Sequence, residues 1–251
     1  MNPFTPILQL VGSGATAYLM ASQIRDVKTR PNVLAGFQLA ESGSVPFLSK
    51  LSDRARAEGD DWLADKLAQH TNDERRHGQI FANALKQLNK EVIDFKASTD
   101  SSEPSQEKRG PFIEAYFRGY TQADLKPEVI EWPIFFASTH ILEADACQDF
   151  RLMAQALEGV PNMEKIQAGI LSVSKDEERH ASYLKEAMLR RYGYLTTTSL
   201  IHEWRSRKVD ALLAMVWGLI QRQGAMRTLA QDRVDAPAES QEAKLAVPQA
   251  A

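Results

Sequence analysis

Two short motifs in the chain place a glutamate and a histidine at a spacing that suits metal binding on a helix. Residues 73–77 read Asp-Glu-Arg-Arg-His and residues 176–180 read Asp-Glu-Glu-Arg-His, so both follow the pattern Asp-Glu-x-Arg-His. Because residues three apart on a helix lie on the same face, the glutamate and the histidine of each motif can bind the same ion. A single Glu-x-x-His sequence is a weak signal, whereas the longer pattern at corresponding points of two similar segments is a strong one.

Each motif has a glutamate partner earlier in the chain. Glu41 lies 33 residues before Glu74, and Glu143 lies 34 residues before Glu177. If each pair lies on two helices joined by a short turn, a rise of about 1.5 Å per residue puts Glu41 about 26 Å and Glu74 about 21 Å from the first turn. The same reasoning puts Glu143 and Glu177 each about 23 Å from the second turn. Each earlier glutamate therefore meets a Glu-x-x-His motif at nearly the same depth.

The predicted metal ligands are four glutamates and two histidines: Glu41, Glu74, His77, Glu143, Glu177 and His180. A helical core does not accept four carboxylates without compensation, because burying unpaired charge is very costly. Two divalent cations would balance the four negative charges, and oxygen and imidazole ligands suit iron or manganese better than softer metals. The alternative for any one of these residues is a solvated helix face, but that interpretation does not explain the matched positions of all six.

The residues around the motifs predict how the histidines are oriented. A metal-bound histidine usually donates its second ring N–H to a carboxylate. We expect Asp73 and Asp176 to accept that hydrogen bond from the histidine of the opposite motif, and Arg76 and Arg179 to hold the two aspartates.

Two other residues lie close to the predicted ligands in the sequence. His70 is on the same helix face as Glu74, but the corresponding position of the second motif is apolar or small, so we interpret His70 as an ordinary helix histidine. Cys147 lies one turn beyond Glu143 and could line a pocket, although a small core residue is the favoured interpretation.

The helix that carries Glu41 contains residues that disturb helices. Pro46 cannot donate to the carbonyl of Ser42, so we expect a kink or local widening beside Glu41. This is either a simple bend or a loosening that lets Glu41 change its coordination and a substrate approach. Four apolar residues are candidates for the wall of a substrate pocket: Phe37, Phe47, Phe81 and Leu184.

Apolar residues at spacings of three and four predict the elements that carry these motifs. Two helical hairpins, with turns at residues 59–61 and 159–162, predict an all-α four-helix bundle with one long crossover. We expect a single domain over residues 1–230, with its metal-binding core at about 31–191 and additional N- and C-terminal helices. The polar residues 97–110 are predicted to be a linker and 231–251 a disordered tail.

The composition narrows the function classes. A net charge of −3 across 251 residues argues against nucleic-acid binding through bulk positive charge. The single cysteine excludes an internal disulfide framework and a cysteine-rich metal site, and a cytoplasmic location is the default. No signal peptide is predicted. The apolar residues 211–220 are predicted to pack on the protein or on another subunit, with peripheral membrane contact as the less favoured interpretation and a homodimer left open.

The ligand pattern resembles that of the ferritin-like di-iron carboxylate superfamily from about Pro31 to Arg191. The doubled Asp-Glu-x-Arg-His is similar to the motif of its oxygen-activating branch, as in bacterial multicomponent monooxygenases and, more loosely, acyl carrier protein desaturases. The chain is much shorter than the hydroxylase subunits of those monooxygenases and closer in size to aldehyde-deformylating oxygenases.

The resemblance implies a ferritin-like bundle that holds two iron ions, with a manganese–iron pair left open. It also implies a di-iron oxidase or oxygenase that uses O₂ and an external electron donor to oxidise a small, apolar organic substrate. A ferroxidase, an iron-storage protein or a peroxide scavenger is the alternative. A helical scaffold or membrane adaptor without a metal would leave the buried carboxylates unexplained.

Overall fold

The computed structural model describes residues 14, 17–94, 110–221 and 227–233. Residues 17–25 are helical, and five further helical segments follow: α1 (Arg30–Ala57), α2 (Asp61–Gln87), α3 (Pro111–Tyr116), α4 (Trp132–Ala156) and α5 (Glu164–Gln221). Two short strands, β1 (Lys90–Val92) and β2 (Ala230–Asp232), form an antiparallel pair. The described chain is mostly helical, which agrees with the all-α prediction.

The helices α1 and α2 form the first hairpin. The chain reverses at Gly59, whose φ of 83° lies in the left-handed region that glycine adopts without strain. Asp60 then caps α2, because its side chain accepts a hydrogen bond from the backbone N–H of Leu63 at 2.9 Å. The turn therefore lies where the sequence placed it, and α1 is a single helix with Pro46 inside it.

The helices α4 and α5 form the second hairpin. The turn between them contains Gly159 and Asn162, with φ values of 71° and 63°, and these two residue types tolerate the left-handed region best. The segment α5 is broken at Gly193, which has φ 72° and ψ 177°. Beyond that break, Trp204 packs on Tyr116 of α3 and on Phe117, with ring centroids 5.1 Å and 5.4 Å apart.

Two apolar clusters enclose a polar layer in the middle of the four long helices. The first cluster joins the C-terminal half of α1 to the N-terminal halves of α2 and α4, with Leu51, Leu67 and Phe136 fully buried. The second cluster joins the opposite ends, around Phe81 and Phe150. Glutamates and histidines of all four helices occupy the layer between the clusters, so packing on both sides holds them in place.

The predicted start of the disordered tail is wrong. Residues 231–251 were expected to be a disordered tail, but Gln231 and Asp232 belong to β2, where backbone pairing with β1 holds them. Most of the predicted linker, residues 97–109, lies outside the described residues, as do 234–251. Within residues 211–220, Ala211 and Leu212 are buried whereas Trp217 is 63% exposed, so only part of that segment packs on the protein. Among the described helices, none has the length and apolar character needed to cross a membrane.

Candidate metal centre

The structure brings all six predicted ligands together in the polar layer. They come from four helices: Glu41 from α1, Glu74 and His77 from α2, Glu143 from α4, and Glu177 and His180 from α5. Five of the six are buried, and the side chain of Glu143 is 14% exposed. Glu41 and Glu143 therefore lie at the same depth in the helices as the two Glu-x-x-His motifs, as the residue spacing predicted.

The ring of His77 faces three of the carboxylates. Its Nδ1 atom lies 3.3 Å from Glu41 Oε2, 3.6 Å from Glu74 Oε1 and 3.3 Å from Glu177 Oε1. One imidazole nitrogen and three carboxylate oxygens thus converge from α1, α2 and α5. This is a donor set suited to a divalent metal ion.

The ring of His180 faces a second set of carboxylates. Its Nδ1 atom lies 3.8 Å from Glu74 Oε1, 3.8 Å from Glu143 Oε2 and 3.7 Å from Glu177 Oε2. His180 Nδ1 and Glu177 Oε1 are buried and make no hydrogen bond to any described residue. Buried polar atoms without partners are costly, so their presence here supports a ligand that the protein atoms do not supply.

The second nitrogen of each histidine contacts an aspartate of the opposite motif. His77 Nε2 lies 3.1 Å from Asp176 Oδ2, and His180 Nε2 lies 3.3 Å from Asp73 Oδ2. With Nε2–H donating to the aspartate, loss of the Nδ1 proton would leave a lone pair directed at the carboxylates, which is the tautomer that metal binding needs. Both contacts expected from the sequence are present.

Two arginines contact both aspartates on the side that faces the solvent. Arg179 lies 2.7 Å from Asp73 and 2.7 Å from Asp176, and Arg76 contacts the same two aspartates. The arginine side chains are 42% and 46% exposed, whereas both aspartates are mostly covered. Two positive and two negative charges therefore form a neutral ring between the histidines and the solvent.

His70 belongs to the cluster, so its interpretation as an ordinary helix histidine is wrong. It is 1% exposed, its Nε2 atom lies 3.2 Å from Glu74 Oε1, and its ring stacks on that of His180 with centroids 3.6 Å apart. Its Nδ1 atom lies 2.8 Å from the hydroxyl of Tyr183, a residue that the sequence analysis did not identify. The helical spacing of four residues to Glu74 was the available signal.

The carboxylates of the cluster divide into two protonation states. Burial raises the pKa of Glu41 to about 8 and, together with the charges of neighbouring glutamates, raises the pKa of Glu177 well above its ordinary value. Burial is outweighed at Glu74 by contacts with His70 and His77, and at Glu143 by contacts with Glu177 and His180, so the pKa values of these two carboxyls are lowered. Four carboxylates this close cannot all ionise without a compensating cation, so the metal-free cluster retains protons.

The histidines respond to the same carboxylates. Although burial opposes their charged forms, contacts with Glu41 and Glu74 raise the pKa of His77 to about 10, and contacts with Asp73 and Glu143 raise the pKa of His180 to about 8. The pKa shifts of His77, His180, Glu41 and Glu177 therefore all favour retention of protons when no metal is bound to the cluster. A divalent cation that binds there would release these protons.

Three overlapping groups of side chains could hold metal ions. Within each group, the potential ligand atoms lie within 4.8 Å of one another. The first group is Glu41, Glu74, His77 and Glu177, the second is Glu143, Glu177 and His180, and the third is His70, Glu74 and His180. Glu177 is shared by the first two groups, and Glu74 by the first and third. A carboxylate shared in this way can contribute one oxygen to each of two neighbouring ions.

A cavity of about 850 Å³ lies beside the cluster, and its wall includes four glutamates and a histidine of the polar layer: Glu41, His70, Glu74, Glu143 and Glu177. Most of the remaining wall is apolar and includes Phe37, Phe47, Phe135, Leu142 and Phe150. The cavity therefore connects an apolar space directly to the carboxylates.

The predicted pocket wall is correct for two of its four residues. Phe37 and Phe47 line the cavity, whereas Phe81 and Leu184 do not, because both are fully buried in the apolar clusters. Cys147 is buried beside Ser174, with its sulfur 3.8 Å from the hydroxyl, and is not part of the cavity wall. The favoured interpretation of Cys147 as a small core residue agrees with this position.

Comparison with known proteins gives no assignment. No protein-family model matches the chain, and no curated protein or solved structure shows significant similarity to it. The function proposed below therefore depends on the residues and geometry of this chain.

Proposed function

We propose that this chain is a di-iron oxidoreductase of the ferritin-like carboxylate type, which uses O₂ to oxidise an apolar organic molecule. The observation that carries the proposal is the position of the cavity. The same glutamates that could hold metal ions form part of the wall of a largely apolar space of about 850 Å³. A substrate in that space would lie against the metal ligands.

The donor set supports iron as the metal. Four carboxylates and at least two imidazoles, with no described cysteine sulfur among them, suit iron or manganese. Two iron ions bound there would supply the sites at which O₂ is reduced. In a monooxygenase reaction, the substrate and an external donor each provide two electrons; one oxygen atom enters the substrate and the other leaves as water with two protons.

The protein residues have three tasks in this proposal. The ring formed by Asp73, Asp176, Arg76 and Arg179 fixes the tautomer of both histidines and keeps their Nδ1 atoms directed at the carboxylates. The two apolar clusters limit the access of water to the polar layer. The aromatic wall of the cavity orients an apolar substrate beside the glutamates.

The cavity also favours a substrate-oxidising enzyme over an iron-handling protein. A hydrated iron ion that travelled along aromatic and aliphatic side chains would lose water without gaining ligands, which is unfavourable. An apolar molecule gains free energy from the same surface, about 25 cal/mol for each Å² that it removes from water.

One experiment separates these functions. Protein loaded with Fe²⁺ without oxygen is exposed to ¹⁸O₂ together with aldehydes, alkenes and fatty acids of graded chain length, and the products are analysed by mass spectrometry. Oxidation of one substrate class, absent from a Glu177→Ala variant and retained by Glu178→Ala, supports the proposal, because Glu178 is an exposed neighbour of the site. Accumulation of ferric iron with every organic compound unchanged favours iron handling, and a chain that binds no iron contradicts both.

A further inference from the structure

The cluster contains a third buried histidine that the two motifs do not include. His70 Nε2 points into the polar layer, 3.2 Å from Glu74 Oε1 and 3.6 Å from Glu143 Oε1. This atom is fully buried and makes no hydrogen bond to any described residue. A buried nitrogen that faces two carboxylates without a hydrogen bond is suited to bind a cation, since an unsatisfied polar atom is costly to bury.

The other contacts of His70 fix the direction of its ring. Nδ1 lies 2.8 Å from the hydroxyl of Tyr183, which is itself buried, and the ring stacks on His180 with an interplanar angle of 24°. When Nδ1–H donates to the tyrosine oxygen, Nε2 carries a lone pair that faces Glu74 and Glu143. Tyr183 thus has the same relation to His70 that the aspartates have to His77 and His180.

We propose that His70 is a further metal ligand, which binds through Nε2 at the metal position of Glu143 and His180. The inference rests on the proposed two-metal site. It gives that position two imidazoles, whereas the position of Glu41 and His77 has one. His70 also lies in the cavity wall, so the position with two imidazoles borders the substrate space.

Comparison of the two repeated motifs shows that the histidine–tyrosine pair accompanies one motif and not the other. A shift of 103 residues superimposes the motif at 73–77 on the motif at 176–180. The same shift carries His70 onto Val173 and Tyr183 onto Ile80, and both of these apolar residues pack in the second apolar cluster. The histidine–tyrosine pair therefore exists at one metal position only, and an apolar pair takes its place at the other.

Two metal positions with different ligands are expected to differ in metal affinity and in absorption spectrum. An added neutral nitrogen ligand occupies a coordination site that water would otherwise fill, and it changes both metal affinity and ligand field. We therefore expect two metal equivalents that differ in affinity and in spectrum. Removing His70 would alter one equivalent and leave the other unchanged.

Titration of the full chain with Co²⁺ in the absence of oxygen tests the inference, with visible absorption and chelator competition as readouts. In the His70→Ala variant we expect one equivalent to bind at least about tenfold more weakly with a changed spectrum, and added imidazole to restore the band. His140→Ala is the matched control, because His140 is also buried but belongs to none of the potential metal groups among the described residues, and its Nδ1 atom lies 2.8 Å from the backbone carbonyl of Ala181. Both equivalents of this control are expected to match the unsubstituted protein.

The results separate this inference from the proposed function. If unsubstituted protein binds two equivalents and folded His70→Ala binds both with unchanged affinity and spectrum, His70 is not a ligand and the two-metal site remains. If unsubstituted protein binds no metal, the proposed function fails first. If His70→Ala loses its helical circular dichroism, His70→Gln replaces it, since an amide in place of the imidazole fills the space and still changes the spectrum of that equivalent.

Discussion

Replacing Glu177 with glutamine is expected to stabilise the metal-free protein and to remove its capacity for two metal ions. Glu177 is 3% exposed, and its Oε1 atom makes no hydrogen bond to any described residue. Burial and the charges of Glu143, Glu41 and Glu74 raise the pKa of Glu177 well above its ordinary value of 4.5. Glutamine has nearly the same shape and no charge, so it removes the cost of placing an ionisable group here.

The sign and size of the effect follow from proton linkage. Because the folded pKa lies above the unfolded one, the folded chain binds more protons, and the contribution of this group to stability falls as the pH rises from 4.5 towards the folded pKa. The loss is about 1.4 kcal/mol per pH unit while the group is neutral in the folded chain and ionised in the unfolded chain. Because the neighbouring carboxyls share protons with Glu177, part of this loss belongs to them and remains in the variant. We therefore expect Glu177→Gln to raise the free energy of unfolding by about 1–3 kcal/mol at neutral pH.

Urea unfolding of chelator-treated protein, followed by circular dichroism at several pH values, measures this difference. The advantage of Glu177→Gln is expected to grow as the pH increases from about 5 to about 7, as the linkage relation requires. Glu178→Gln is the control, since the side chain of Glu178 is 64% exposed, and its effect is expected to stay within about 0.5 kcal/mol. A variant that is no more stable than the unsubstituted protein, or an advantage independent of pH, would refute the linkage argument. Retention of two metal equivalents would count against Glu177 as a ligand.

Three further predictions concern the two aspartates, the cavity wall and the cap of α2. Asp176→Asn and Asp73→Asn are each expected to weaken metal binding about 10- to 100-fold in chelator competition, because each aspartate orients the histidine of the opposite motif; unchanged affinity would contradict that role. Ala146→Phe fills part of the cavity and is expected to lower turnover of the longest substrates while metal content stays constant; equal losses for every chain length would argue against substrate binding there. Asp60→Ala removes the cap of α2 and is expected to lower the free energy of unfolding by about 1–2 kcal/mol, whereas exposed Asp61→Ala changes it less; metal stoichiometry is the readout that neither variant alters.

The residue spacing was sufficient to predict which side chains meet in the polar layer. Glu41 and Glu143 could be aligned with the two motifs because helix rise is constant and the turns at Gly59 and Gly159 are short. The contacts between each aspartate and the opposite histidine could also be predicted, because both motifs have the same order of residues. Symmetry in the sequence thus carried most of the information about the site.

His70 was misinterpreted because it breaks that symmetry. Its counterpart, Val173, is apolar, and the tyrosine that fixes its ring lies 113 residues away on another helix. Helix-face periodicity placed His70 beside Glu74 but gave no information on Tyr183, since contacts between helices depend on how the hairpins pack. The same reason explains Phe81, which lies on the correct face of α2 but is buried in an apolar cluster rather than in the cavity wall.

The pairing of β1 with β2 is another contact that local patterns could not predict. Lys90 and Asp232 are 142 residues apart, and each strand has only three residues. A strand of that length carries too little alternation to be recognised in a sequence. Backbone pairing and the packing of Val92 and Ala230 on the second apolar cluster hold the two strands, and the exposed contact between Lys90 Nζ and Asp232 Oδ1 at 2.7 Å adds little.

Burying the carboxylates lowers the stability of the protein without metal, whereas metal binding raises it. The proposed function therefore predicts that metal reverses the order of stability of the unsubstituted protein and Glu177→Gln. A metal ion that binds only the folded chain adds about 2.7 kcal/mol of stability when its free concentration is 100 times its dissociation constant. The unsubstituted protein gains this increment from each ion, whereas Glu177→Gln lacks the carboxylate shared by two of the ligand groups and gains less. We therefore expect the variant to be the more stable protein in chelator and the less stable one in excess Co²⁺, as measured by thermal unfolding. Equal Co²⁺-induced stabilisation of the two proteins would mean that Glu177 does not bind metal, because a metal ligand must stabilise the folded chain when its ion is present.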